Sequence, residues 1–99
     1  MEKRRPHYDL KSIQAQMNCL ETMSLTMTAR HGIKAIGMGL DDALSIIQQL
    51  SRENFFKAMT AYADNRVWQD VYHAEWQGRA LYIKFQKHEN FFIVSFKER

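Results

Sequence analysis

The side chains best suited to act on a phosphodiester lie mostly in the second half of the chain. They are Lys57, Gln69, Tyr82, Lys84 and Lys97, with His7 and His73 as candidate proton carriers. Lysine ammonium groups offset the extra charge of a pentavalent phosphate transition state. A tyrosine hydroxyl can donate to a phosphoryl oxygen, or its ring can stack on a base. Such a set suits RNA cleavage without a metal. Other familiar chemistries have no motif here: there is no Gly-rich phosphate loop, no paired metal-ligand spacing and no nucleophile elbow. The four histidines, His7, His31, His73 and His88, are far apart in sequence. Cys19 lies beside an apolar helical stripe and reads as inert. Trp68 and Trp76 can stack on bases, although a strand tryptophan is more often core or rim.

These residues need a scaffold, and the pattern of the chain changes near residue 52. Before it the apolar spacing is helical. Asp9 is placed to cap a first helix with Leu10, Ile13, Met17 and Leu20 on one stripe. Met23 to Thr26 reads as extended. Thr28 is placed to cap a second helix using Ala29, Ile33 and Ile36 and ending near Gly37 or Gly39, with Gly32 weakening it. Asp41 is placed to cap a third, with Leu44, Ile47 and Leu50 buried. Asp41 and Asp42 read as partners of the positive helix end rather than as a metal site. After residue 52 the residues favour strands over 55–61, 67–76, 79–86 and 91–97. Asp64-Asn65, Gln77-Gly78 and the segment 87–90 make the turns.

In the last hairpin a 87–90 loop sets Gln86 opposite Phe91, Phe85 opposite Phe92, Ile83 opposite Val94 and Leu81 opposite Phe96. The last three pairs form one apolar face. The other face carries Tyr82, Lys84 and Lys97, with Tyr82 opposite Ser95 and Lys97 as its diagonal neighbour. A two-residue turn at Gln77-Gly78 sets His73 opposite Tyr82 and Gln69 opposite Gln86, adding Gln69, Val71 and His73 to that polar face. The same register puts Asp70 against the apolar side, where it needs hydrogen bonds, an edge or a bulge. No such register brings Lys57 to the polar face. An antiparallel sheet with one wet face is ordinary, so pattern alone locates the face and leaves its use open.

The chain's 99 residues predict one domain, 1–99, of α+β class: about three N-terminal helices packed on a small antiparallel β-sheet. Hydrophobic residues make up 45% and aromatics 12%, enough for a packed core and against a disordered tail. The net charge of +3 permits an anionic partner without requiring one. A lone cysteine, no bilayer-length apolar run and a basic start without an apolar core predict a soluble, cytoplasmic protein.

In several blocks at matching spacing the sequence resembles the MqsR family of toxins from bacterial toxin–antitoxin pairs. The blocks are Met1-Glu2-Lys3-Arg4-x-Pro6-His7, Gly39-Leu40-Asp41, Phe55-x-Lys57-x-Met59-Thr60, Trp68-Gln69-Asp70-Val71-Tyr72, Tyr82-x-Lys84 and Ile93-Val94-Ser95-Phe96-Lys97-Glu98. Residues 8–38 resemble the family mainly in helical pattern. The resemblance implies a RelE-like fold and a sequence-specific, ribosome-independent mRNA endoribonuclease cutting at GC-containing triplets. Such toxins arrest growth by destroying transcripts and are associated with persistence and biofilm regulation. It implies a zinc-binding, helix-turn-helix antitoxin like MqsA as partner, with DNA met only through that partner and no metal or cofactor in the toxin itself. The family's catalytic residues carry over onto Lys57, Gln69, Tyr82 and Lys97; Lys84, His7, His73 and Trp68 are expected to bind RNA. Two other functions fit the bare pattern: an RNA-binding module without catalysis, and a regulator attached to a DNA-binding partner.

Overall fold

A computed structural model describes all 99 residues, Met1–Arg99. Three helices, α1 (Leu10–Gln16), α2 (Met27–Ala35) and α3 (Leu40–Gln49), cover one face of an antiparallel sheet. Its strands are β1 (Glu2–Lys3), β2 (Phe55–Thr60), β3 (Trp68–Trp76), β4 (Arg79–His88) and β5 (Phe91–Glu98), lying side by side in chain order. This is the α+β arrangement expected of a RelE-like toxin fold. The short β1, which pairs with β2 through Glu2 opposite Met59 and Lys3 opposite Ala58, has no apolar signature to betray it.

Polar side chains fix the helix ends. The Asp9 carboxylate accepts the Ser12 N–H at 3.2 Å, so α1 starts as expected. α1 stops sooner than its stripe suggests, because the Gln48 amide donates to the carbonyls of both Gln14 and Met17 and closes the helix there. Leu20 falls outside, exposed in a separate turn. Gln14 does the same for α3, donating to the Ile47 and Leu50 carbonyls at 2.9 Å. α2 is capped by Thr26 rather than Thr28: the Thr26 hydroxyl accepts the Ala29 N–H at 3.0 Å while its own N–H donates to Val94. α3 begins after Gly39 rather than Asp41, because Asp42 accepts the Gly39 N–H at 2.9 Å from inside the first turn. Its buried positions are Ala43, Ile47 and Leu50, with Leu44 at the margin.

The β3–β4 hairpin has the expected register, with His73 opposite Tyr82 and Gln69 opposite Gln86. Gln77 (φ 49°) and Gly78 (φ 77°) form its two-residue turn, both left-handed as tight hairpins favour. Asp70 is fully buried on the helix side without a bulge. Its carboxylate instead accepts the N–H groups of His7 and Tyr8 at 3.0 and 2.8 Å, tying the N-terminal segment to the sheet. Burial raises the Asp70 pKa, and these two N–H donors oppose the rise.

The β4–β5 hairpin corrects the expected register by two residues. The strands run on to His88 and Phe91, and the connection is only Glu89-Asn90. Glu89 sits at φ 57°, a conformation glutamate seldom takes, so no turn residue advertises it. A slip of two keeps every side chain on its face. Leu81, Ile83, Phe85, Phe92, Val94 and Phe96 are accordingly all buried with Tyr72 under the helices. The partners change, and Tyr82 now lies directly opposite Lys97, with Lys84 opposite Ser95.

The outer edge of β5 is covered, which blunts unwanted strand pairing. Gln16 brackets Phe92, accepting from its N–H at 2.9 Å and donating to its carbonyl at 3.1 Å. The extended Ser24–Thr26 segment pairs in parallel with Val94. Then α2 closes over Phe96 at Gly32, where a Cβ would stand 3.0 Å from the Phe96 carbonyl oxygen. The glycine that weakens the helix permits this approach.

Candidate active site

The uncovered face of the sheet is organised in rows across the strands. One row is His73–Tyr82–Lys97, the next is Lys57–Val71–Lys84–Ser95, and the third is Met59–Gln69–Gln86–Ile93. Facing residues in a row have Cβ atoms roughly 5 Å apart, and successive rows lie roughly 7 Å apart along the strands. Six of the eight residues singled out from sequence therefore share this face: Lys57, Gln69, His73, Tyr82, Lys84 and Lys97.

Lys57 reaches the face through an irregularity. The β2–β3 register shifts between Phe55 and Lys57, so Phe55 packs under the helices while Lys57 stands opposite Val71 on the open side. Phe56 at the bulge turns onto the open face and stacks on the His73 ring at 4.2 Å between centroids. The Asn54 side chain donates to the His73 carbonyl at 3.0 Å beside the same irregularity. The Lys57 ammonium forms an ion pair with Glu2 at 2.8 Å, and that contact holds the Glu2 carboxyl below its usual pKa.

A hollow of about 550 Å³ is lined by Phe56, His73, Tyr82, Lys84, Lys97, Glu98 and Arg99. His73 and Tyr82 lie 5.6 Å apart, ring to ring. Partial burial lowers the His73 pKa, and the Arg99 charge lowers it further, so at neutral pH the ring is uncharged and can accept a proton. Lys84 and Lys97 form no ion pair, leaving their ammonium groups available to an anion. A neutral imidazole, a phenol and unpaired ammonium groups on one surface can take a proton from a hydroxyl and stabilise charge growing on a phosphate. No three His, Cys, Asp or Glu side chains gather as a metal-binding group.

His7 and Trp68 are not part of this surface. Trp68 shares its face with Asp70 and Tyr72, on the helix side of β3. The His7 ring stacks on it at 5.0 Å, and the Lys3 ammonium lies 4.3 Å over the Trp68 ring and 2.9 Å from His7 Nδ1. These residues pin the N-terminal arm down. Sequence reasoning missed Phe56, Arg99 and Glu98. The one available signal was Phe55-Phe56: in a strand, two adjacent phenylalanines cannot both face the core.

The fold and surface together define a small α+β protein with an open, lysine-rich sheet face suited to phosphodiester chemistry. The comparisons make that class specific. Residues 5–98 match the family described as motility quorum-sensing regulator, toxin of MqsA. The chain is 34% identical over its full 99 residues to the whole of the mRNA interferase toxin MqsR of Escherichia coli (strain K12). The chain belongs to the MqsR toxin family.

Proposed function

We propose that this chain is the toxin of a toxin–antitoxin pair and acts as a sequence-specific, ribosome-independent mRNA endoribonuclease that needs no metal. The observation that carries the reading is the meeting of His73, Tyr82 and Lys97 in one row, bordered by Lys57 and Lys84, in a full-length relative of an mRNA interferase. In the proposed mechanism neutral His73 takes the proton of an RNA 2′-OH. The 2′-oxygen attacks the adjacent phosphorus and the P–O5′ bond breaks. Lys97 and Lys57 stabilise the phosphorane charge. Tyr82 hydrogen-bonds the phosphate and gives its phenolic proton to the departing 5′-oxygen, recovering one from the protonated His73 ring beside it. Lys84 adds to the field that holds the strand, and Gln69 hydrogen-bonds a base. The products are a 2′,3′-cyclic phosphate, or the 3′-phosphate from its hydrolysis, and a 5′-OH. His7 and Trp68, on the opposite face, take no part in this scheme.

The proposed neutralising partner is a zinc-binding, helix-turn-helix antitoxin of the MqsA kind, with DNA contacted only through that partner. Cleavage at GC-containing triplets and a cytoplasmic site of action, where transcripts are, complete the reading. The test is expression of wild type beside Lys97→Ala, with growth and transcript decay scored, and purified cleavage repeated with a chelator. Growth arrest and transcript loss with wild type alone, and cleavage unchanged by the chelator, are expected. Equal, harmless growth of both strains would refute the reading.

A further inference from the structure

A second hollow adjoins the first on the open face. It measures about 270 Å³ and is walled by Gln69, Lys84, Gln86 and Ser95 from the sheet and by Thr26 and Thr28 where α2 begins. Lys84 lines both hollows, and its row separates them, so Gln69 and Gln86 lie two rows along the strands from His73 and Tyr82. Its floor is a paired amide: Gln69 Nε2 donates to Gln86 Oε1 at 2.9 Å, and the pair is partly buried. That bond ties the two side chains together and leaves the Gln69 oxygen as an acceptor and the Gln86 NH₂ as a donor with no partner within the chain. A free donor and a free acceptor from one bonded pair in a recess can meet the edge of an unpaired nucleobase, which offers both complementary groups. An ordinary solvated strand face has no such recess, and α2 supplies the wall that makes one.

We propose that this recess reads the base of a nucleotide flanking the scissile phosphate, and that Gln86 is a specificity-determining residue acting with Gln69. The inference rests on the endoribonuclease reading above. Thr28, exposed on the rim, shapes the entrance without capping the helix, a task that belongs to Thr26.

The experiment is cleavage of a randomised-sequence RNA pool by purified wild type, Gln86→Ala and Thr28→Val, mapping every new 5′-OH end by sequencing. For wild type a base preference is expected at a fixed position beside the cut. Gln86→Ala should flatten the preference at that position alone, with kcat/KM on the preferred sequence falling about tenfold or more. Sites with other bases there should still be cut. Thr28→Val, which leaves the sheet untouched, should shift the same position to a smaller degree. A uniform drop across all sequences with the preference intact in both variants overturns the recess as a reader while leaving the nuclease reading standing. A wild type that cuts no RNA overturns both.

Discussion

Tyr82 and Lys97 face each other directly across the β4–β5 ladder, and His73 completes the row on the other side of Tyr82. A phenol is thus flanked by an imidazole and an ammonium on rigid strands, which hold side chains more accurately than loops do. Removing the Lys97 ammonium is expected to lower RNA cleavage about 10²- to 10³-fold, the cost of losing one group that stabilises transition-state charge. Because Lys97 is exposed, the same Lys97→Ala change should alter stability by no more than about 0.5 kcal/mol. Single-turnover kinetics and urea unfolding on the same preparation check both halves.

His73 yields a pH prediction. Its pKa is lowered by burial and by Arg99, and in the proposed mechanism the neutral ring takes the proton. Cleavage should therefore rise with pH through a midpoint below the ordinary histidine value of about 6.5 and level off near neutrality. Arg99→Ala removes the second cause and should move the midpoint upward. His73→Ala should abolish the acid limb and lower kcat/KM about 10²- to 10⁴-fold. A pH–rate profile of the three proteins measures this.

Glu2 occupies the ammonium that an RNA phosphate would use. In the proposed mechanism the 2.8 Å pair with Lys57 loosens when the strand binds. Glu2→Gln should tighten RNA binding and steepen its salt dependence by roughly one counterion. Lys57→Ala should weaken binding and make the slope shallower by a similar step. Fluorescence anisotropy with a 2′-deoxy substrate analogue, across a salt series, separates the two.

Gly32→Ala sets helix propensity against packing. Alanine gains up to about 1 kcal/mol in a helix interior. The added Cβ would press on the Phe96 carbonyl at 3.0 Å, and that atom is sheet backbone with no side-chain freedom to yield. Overpacking of this kind costs about 1–3 kcal/mol, so the variant should be less stable than wild type. Thermal unfolding decides it, with a raised Tm as the contrary result.

What the sequence discloses about this site follows from which interactions are periodic. The two faces of β4 and β5 are legible because alternation survives a slip of two residues: the pattern sets Tyr82 opposite Ser95 where the structure sets it opposite Lys97, and all three keep the same face. Asp70 was legible as a conflict, and its resolution was not, because its partners are backbone N–H groups of His7 and Tyr8 more than sixty residues away. Lys57 was the hardest. A bulge at Phe56 brings it to the open face, and bulges leave no periodic trace. Two helix caps lie two residues before the expected ones: at Thr26 the backbone pairing with Val94 overrides the local preference, and at Gly39 the Asp42 carboxylate reaches back from inside the first turn. Trp68 and His7 have the right chemistry for RNA, but the parity of β3 turns Trp68 to the helix side and His7 stacks on it there.

The most direct test of the central claim is end-group analysis of RNA cut by the purified chain, with Lys97→Ala in parallel. The predicted result is a 5′-OH on one fragment, a 2′,3′-cyclic phosphate or 3′-phosphate on the other, and largely intact RNA with the variant. A 3′-OH and 5′-phosphate, or equal cutting by Lys97→Ala, would contradict it.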